Sequence, residues 1–144
     1  MAITTNAIAN SFKKELLEGK HDFTASTGSE FKLAMYTSAA TLGKSTTSYT
    51  TGSETSSPAG YTAGGKALVN GGTSVASNVA IVDFSNLSFT NVTLTARGAL
   101  IYNTSNSNTA VAVLDFGGDK TATSGTFTIQ FPAFTTSAAI LRIS

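Results

Sequence analysis

The sequence predicts an all-β domain, a β-sandwich or jelly roll of about seven to eight short antiparallel strands with one N-terminal helix. Three observations carry this expectation. Of the 144 residues, 42 are Ser or Thr and 13 are Gly. Thr favours strands, whereas Ser, Asn and Gly favour turns and compete with helical hydrogen bonding. Short apolar runs recur along the second half of the chain, each bounded by Gly, Asn, Ser or Pro. Only one segment, near the N-terminus, carries a helical period. The length suits one domain, residues 1–144, with a core large enough to need no covalent staples.

The helix is expected over residues 5–18. Thr5 or Asn6 can cap its start, Gly19 can close its end, and Ile8, Phe12 and Leu16 recur every four residues. So short a helix is marginal alone in water, so its apolar stripe must dock, either on its own sheet or on a neighbouring subunit. Phe31–Tyr36 reads as the first strand. Residues 37–65 form a long polar tract rich in Thr and Ser, with Pro58 and no sustained apolar period. Loops of that length are usually functional, which makes this tract a candidate contact surface.

Strands are then expected at Lys66–Asn70, Val79–Phe84, Ser88–Thr95, Gly98–Asn103, Thr109–Phe116, Thr126–Phe131 and Ala138–Ile143. The Gly98–Asn103 and Thr109–Phe116 pair reads as a hairpin, with Gly117 and Gly118 opening the next turn. Phe84, Phe89, Leu100, Tyr102, Val111, Val113, Phe127, Ile129 and Phe131 are the expected core.

Composition argues against several functions. The chain has no Cys, no Trp and one His, and its net charge is +1. That charge is too small to drive nucleic-acid binding by counterion release, so no nucleic-acid partner is expected. No long apolar stretch and no secretory leader stand out, so neither a membrane partner nor a signal peptide is expected, and synthesis in the cytoplasm is. Gly60–Lys66 matches the spacing of a phosphate-binding loop, but Ala67 stands where a Mg²⁺-binding hydroxyl belongs. It reads better as a glycine-rich turn entering a strand. Asp115-Phe116-Gly117 lacks the companion motifs of a kinase and reads as a strand end. Asp115 and Asp119 do not have the spacing of a calcium loop. His21 follows the helix, where it could interact with the last carbonyls, and no nucleophile elbow accompanies it. Arg97, before Gly98, is suited to pairing a carboxylate or capping turn carbonyls. No enzyme activity, cofactor or metal is expected.

Ala9-Asn10-Ser11-Phe12-Lys13-Lys14-Glu15-Leu16-Leu17-Glu18-Gly19 with His21-Asp22-Phe23, Phe31-Lys32-Leu33-Ala34-Met35-Tyr36-Thr37-Ser38-Ala39-Ala40-Thr41-Leu42, Gly60-Tyr61-Thr62-Ala63-Gly64-Gly65, Thr95-Ala96-Arg97-Gly98-Ala99-Leu100-Ile101-Tyr102-Asn103 and Ala110-Val111-Ala112-Val113-Leu114-Asp115-Phe116-Gly117 form an ordered set. Together they resemble a family of small virion structural proteins of tailed bacteriophages, notably marine and cyanobacterial ones. The resemblance implies a non-enzymatic protein located in the virion. The expected role is a capsid decoration or cement protein that binds the phage major capsid protein and copies of itself, as a dimer or trimer. A tail, adaptor or fibre-associated component, touching tail proteins or a host surface glycan, is the alternative. A carbohydrate-binding module using Tyr36, Tyr49 and Tyr61 is a third. The expected partner-binding anchors are Phe12, Leu16, Tyr49 and Tyr61.

Overall fold

A computed structural model describes residues 3–135 and 137–143. Eight strands and one helix follow in chain order: β1 (Ala7–Ile8), α1 (Asn10–Leu17), β2 (Phe31–Tyr36), β3 (Lys66–Ala67), β4 (Asn70–Ala76), β5 (Val79–Phe84), β6 (Leu87–Asn103), β7 (Thr109–Ile129) and β8 (Leu141–Ile143). They form two antiparallel sheets, a larger one in the order β1-β7-β6-β2-β3 and a smaller one in the order β4-β5-β8. This is the expected all-β sandwich with a helix near its N-terminus.

The centre of the larger sheet is buried on both faces. Gly98–Asn103 of β6 and Ala110–Leu114 of β7 have no exposed residue. Cross-strand neighbours point the same way, so Phe31, Leu33, Met35, Ala99, Ile101 and Asn103 share one face, while Ala34, Tyr36, Leu100 and Tyr102 share the other. The first face receives α1 and the smaller sheet through an aromatic cluster. Phe23 stacks on Phe31 at 4.6 Å, and Phe84 of β5 meets both rings edge-on. The second face is covered by the polar tract. That tract leaves the β7 edge at Ser48, which bridges Thr109, and reaches the β2 edge at Glu54, which bridges Tyr36. Residues 37–65 thus form a third layer without regular secondary structure, anchored by the buried Ala40 and Leu42.

The two longest strands correct the expected pattern. Ser88–Thr95 and Gly98–Asn103 are one strand, and so are Thr109–Phe116 and Thr126–Phe131 up to Ile129. The intervening residues, which read as breaks in the sequence, are bulges. Phe116–Asp119 of β7 oppose the single residue Arg97 of β6, with Gly117 at φ 80°, so Gly117 and Gly118 open a bulge and not a turn. Asn91 at φ 55° and Ser124 at φ 44° mark further bulges where the ladder register shifts. Arg97 steadies the widest bulge, with Nη2 at 3.2 Å from Asp115 Oδ1 and Nε donating to the Ile3 carbonyl at 3.2 Å. This is the carboxylate-and-carbonyl role expected of it.

The helix is shorter than residues 5–18. Residues before Ala9 are drawn into extended backbone because the edge of β7 offers them a ladder: Ala7 pairs with Val113 and Ile8 with Ala112. Asn6 does not cap the helix; its Oδ1 accepts the Asp115 N–H at 2.6 Å, and the N-cap residue is Ala9. The C-terminus ends as expected at Gly19. With Gly19 at φ 73°, the Gly19 N–H bonds the Leu16 carbonyl and the Lys20 N–H bonds the Glu15 carbonyl. This pair of bonds satisfies the terminal carbonyls. His21 is therefore not needed there, and its ring lies buried beneath the helix instead of beside the carbonyls. The helix docks on its own sheet, through Phe12 and Ala9 against β7.

The 60–66 segment is a glycine turn leading into β3, as expected. Gly60, Gly64 and Gly65 all have positive φ. At Gly65 a Cβ would stand 1.8 Å from the Leu33 carbonyl oxygen. Gly65→Ala is expected to destabilise the fold by about 3 kcal/mol or more, because both the backbone conformation and the β2–β3 approach must give way. Urea unfolding, with the circular dichroism of the remaining folded fraction, measures it.

Candidate functional site

One face of the smaller sheet turns toward the core, which covers only part of it, while Ile81 is buried on the other face. Phe84, Val82 and Ala80 alternate onto the same side of β5. Their partners on that side are Leu141 and Ile143 of β8 and Thr73 and Val75 of β4. Phe84 and Leu141 are buried in the core, but the row beyond them is not. Val75 is 73% exposed and Ile143 is 59% exposed, flanking Ala80 across three strands.

Between this face and α1 lies a cleft of about 770 Å³. Phe12 and Leu16 line the helix side, Val82 and Leu141 the sheet side, and Lys13, Asp22 and Arg142 stand along its lining. Leu17 also lines the cleft and is 91% exposed, the most exposed of the large apolar side chains. Contiguous exposed apolar surface rimmed by polar residues marks sites of association. The cleft offers shape and apolar area, with no convergent set of reactive groups. Among the described residues, no three His, Asp or Glu side chains come together as metal ligands. Among the same described residues, no helix is long and apolar enough to cross a membrane.

The four anchors expected from the sequence divide two and two across the larger sheet. Phe12 is 4% exposed, 4.8 Å from the His21 ring and edge-on to Phe23, so it forms the floor of the cleft as part of the core. Leu16 is half-buried and faces the cleft. Tyr49 and Tyr61 lie on the opposite face, in the polar layer. Leu17 and Ile143 were not among the expected anchors. The signal for Leu17 was its position: a leucine directly after Leu16 falls off a stripe that docks inward. Val75 lay in a Gly- and Ser-rich run that resembles a turn more than a strand.

Tyr49 and Tyr61 belong to a hub built on Glu54. The Tyr49 hydroxyl donates to Glu54 Oε1 at 2.5 Å, and the Tyr61 hydroxyl and the Gly64 N–H both donate to Oε2 at 2.7 Å. Tyr61 also accepts the Met35 N–H at 2.9 Å, which terminates the free edge of β2. Tyr102 stacks on Tyr49 at 4.8 Å and donates to the Gly64 carbonyl at 2.6 Å, while Tyr36 donates to the Thr50 carbonyl at 2.7 Å. Every tyrosine of the chain is engaged. Burial, reinforced by the Glu54 carboxylate, pushes all four phenols above their ordinary pKa. They are donors at neutral pH, and none is set up as a base or nucleophile. Nor do buried Tyr36 and Tyr61 leave the open ring faces that sugar stacking requires, and one face of half-buried Tyr49 is taken by Tyr102.

Comparison of the chain with protein families, with curated proteins and with solved structures finds no match.

Glu54→Ala is expected to lower stability by about 3 kcal/mol, because two phenols and one amide lose a charged acceptor in a partly buried setting. The loss should concentrate in the polar layer. Limited proteolysis is expected to cleave the variant within residues 45–60 while the β6–β7 ladder stays protected in hydrogen exchange.

Proposed function

We propose that this chain is a non-enzymatic structural protein of a tailed-bacteriophage particle, and within the particle a capsid decoration protein that grips coat subunits. The single observation that carries this reading is the apolar face of the smaller sheet running past the core into an open cleft, with Leu17 exposed on the opposite lip. An isolated domain gains nothing from that arrangement, whereas an associating one buries it. The sequence resemblance supplies the class of partner. The polar chemistry of the chain supports the same reading, since its tyrosines and Glu54 are engaged in architecture.

Copy number tests the placement. Quantitative mass spectrometry of purified virions of the encoding phage, referenced to the major coat protein, is expected to give on the order of hundreds of copies per particle, as shell symmetry demands. A count of about six or twelve assigns the chain to the tail or portal. Absence from the particle removes the virion reading altogether.

Leu17→Asp tests the surface. At so exposed a position the substitution is expected to change stability by less than about 0.5 kcal/mol. Loss of an apolar interface anchor is expected to lower incorporation into particles by about tenfold or more. Urea unfolding of the purified variant measures the first, and its reassembly on particles lacking the protein measures the second.

A further inference from the structure

The only histidine of the chain sits where three segments meet. Its ring is buried under α1, at the end of the turn that leaves the helix and against β6. Asn103 of β6, fully buried, places its Nδ2 at 2.9 Å from His21 Nδ1. The orientation of that amide is fixed from its other end, because Asn103 Oδ1 accepts the Ser105 N–H at 2.9 Å. Nδ2 also faces the Lys20 carbonyl at 3.5 Å. An amide nitrogen only donates, so Nδ1 must be an unprotonated acceptor. The imidazole proton therefore resides on Nε2, which faces Glu15 Oε1 at 3.9 Å, too far for a hydrogen bond.

A second proton has no place in this arrangement. Added at Nδ1, it sets two N–H donors against each other across 2.9 Å. Asn103 can accommodate it only by turning its oxygen toward the ring, which gives up the Ser105 N–H and the Lys20 carbonyl. Ser105 in turn holds the Glu30 N–H, and Asn106 of the same turn donates to Glu15 Oε2 at 3.4 Å. We propose that His21 is a proton-operated latch: neutral, it ties α1, residues 20–30 and the 103–109 turn together through Asn103, and protonated, it releases them together.

The charges around the ring decide the direction. Glu15 on α1 favours the imidazolium, while Lys20 opposes it; β6 and the turn present the uncharged amides Asn103 and Asn106. Burial outweighs the Glu15 attraction and holds the ring below the ordinary histidine pKa of 6.5. With the folded value below the unfolded one, the latch contributes fully above pH about 6.5 and is lost as pH falls toward the folded value. Because α1 forms one wall of the cleft, acid loosens that wall, whatever partner the cleft holds.

A single histidine makes the test direct. Long-range proton–nitrogen spectra of the full chain at pH 7.5 are expected to show the neutral Nε2–H tautomer. On titration to pH 5.5, protection factors, corrected for the slower intrinsic exchange in acid, are expected to fall at least tenfold more in α1 and at Ser105 than in the β6–β7 ladder. His21→Asn, which keeps an acceptor near the Nδ1 position and removes the titrating group, is expected to abolish the pH dependence of α1 protection. An Nδ1–H tautomer, ring protonation with unchanged α1 protection factors, or an equal acid response in His21→Asn each overturns the latch. If that variant does not fold, the wild-type tautomer and exchange data decide the matter alone.

Discussion

A β-ladder buried on both faces is the constraint from which the rest of this structure follows. Gly98–Asn103 and Ala110–Leu114 lie at the centre of the larger sheet with no exposed side chain, so both faces need a cover. The register between the two strands cannot slip by one residue without exchanging the faces, which would turn Asn103 away from His21 and Tyr102 away from Gly64. Odd residues are therefore absorbed locally. The bulges at Asn91, Ser124 and Phe116–Asp119 take up the surplus, and Arg97 ties the largest of them to Asp115 and to the N-terminal segment.

The two covers are made by different physics. On one face, aromatic rings from α1, the 20–30 segment and β5 interlock around Phe31. On the other, a Thr- and Ser-rich tract has few apolar side chains to contribute, and a layer of that composition would not stay down through burial alone. Glu54 solves this by gathering two phenols and a backbone amide onto one carboxylate. Two of those donors, Tyr61 and Gly64, also touch β2 and Tyr102 respectively, so the hub binds the tract to the sheet beneath it. Charge-assisted bonds at partial burial are worth more than their neutral counterparts, and here three of them converge. The polar cover is fastened at its centre by these bonds. The apolar cover leaves a gap, the cleft beside Leu16 and Leu17.

What the sequence disclosed follows the range of the forces involved. β2 and β5 are legible to the residue at Phe31–Tyr36 and Val79–Phe84, because apolar runs bounded by turn formers are local signals. The Schellman end at Gly19 is local too. Legibility fails where a distant segment overrides a local preference. Thr5–Ala9 has helical company but is captured by the free edge of β7. Gly117 and Gly118 look like a turn, yet the ladder resumes beyond them. Tyr49 and Tyr61 look like surface anchors inside a polar tract, because nothing in their neighbourhood announces that Glu54 will collect them. The spacing of a lone carboxylate between two tyrosines in an uncharged stretch is the only trace of the hub in the sequence. Of the candidate cleft, Phe12 and Leu16 were visible as a stripe. Its far wall, from Thr73 through Val82 to Ile143, depends on strand pairing that no local pattern encodes.

The asymmetry between the covers bears on function through stability. An eight-residue helix cannot persist alone, and α1 has no side-chain cap at its N-terminus. It is held by Phe12 in the core, by the contacts of Ala9 and by the buried polar group beneath it. The least self-sufficient element of the fold thus forms one wall of the apolar cleft. Any partner that fills the opening contacts Leu16 and Leu17 and stabilises the docked helix by mass action. Conversely, whatever loosens the helix weakens the partner by the same free energy, since coupling between the two is reciprocal. The Glu54 hub lies on the far face of the larger sheet, but its tract meets the start of the helix directly, where the Asn10 N–H donates to the Lys44 carbonyl at 2.8 Å. One side of the larger sheet is thus closed by converging hydrogen bonds, while the other leaves apolar surface open beside the least self-sufficient element.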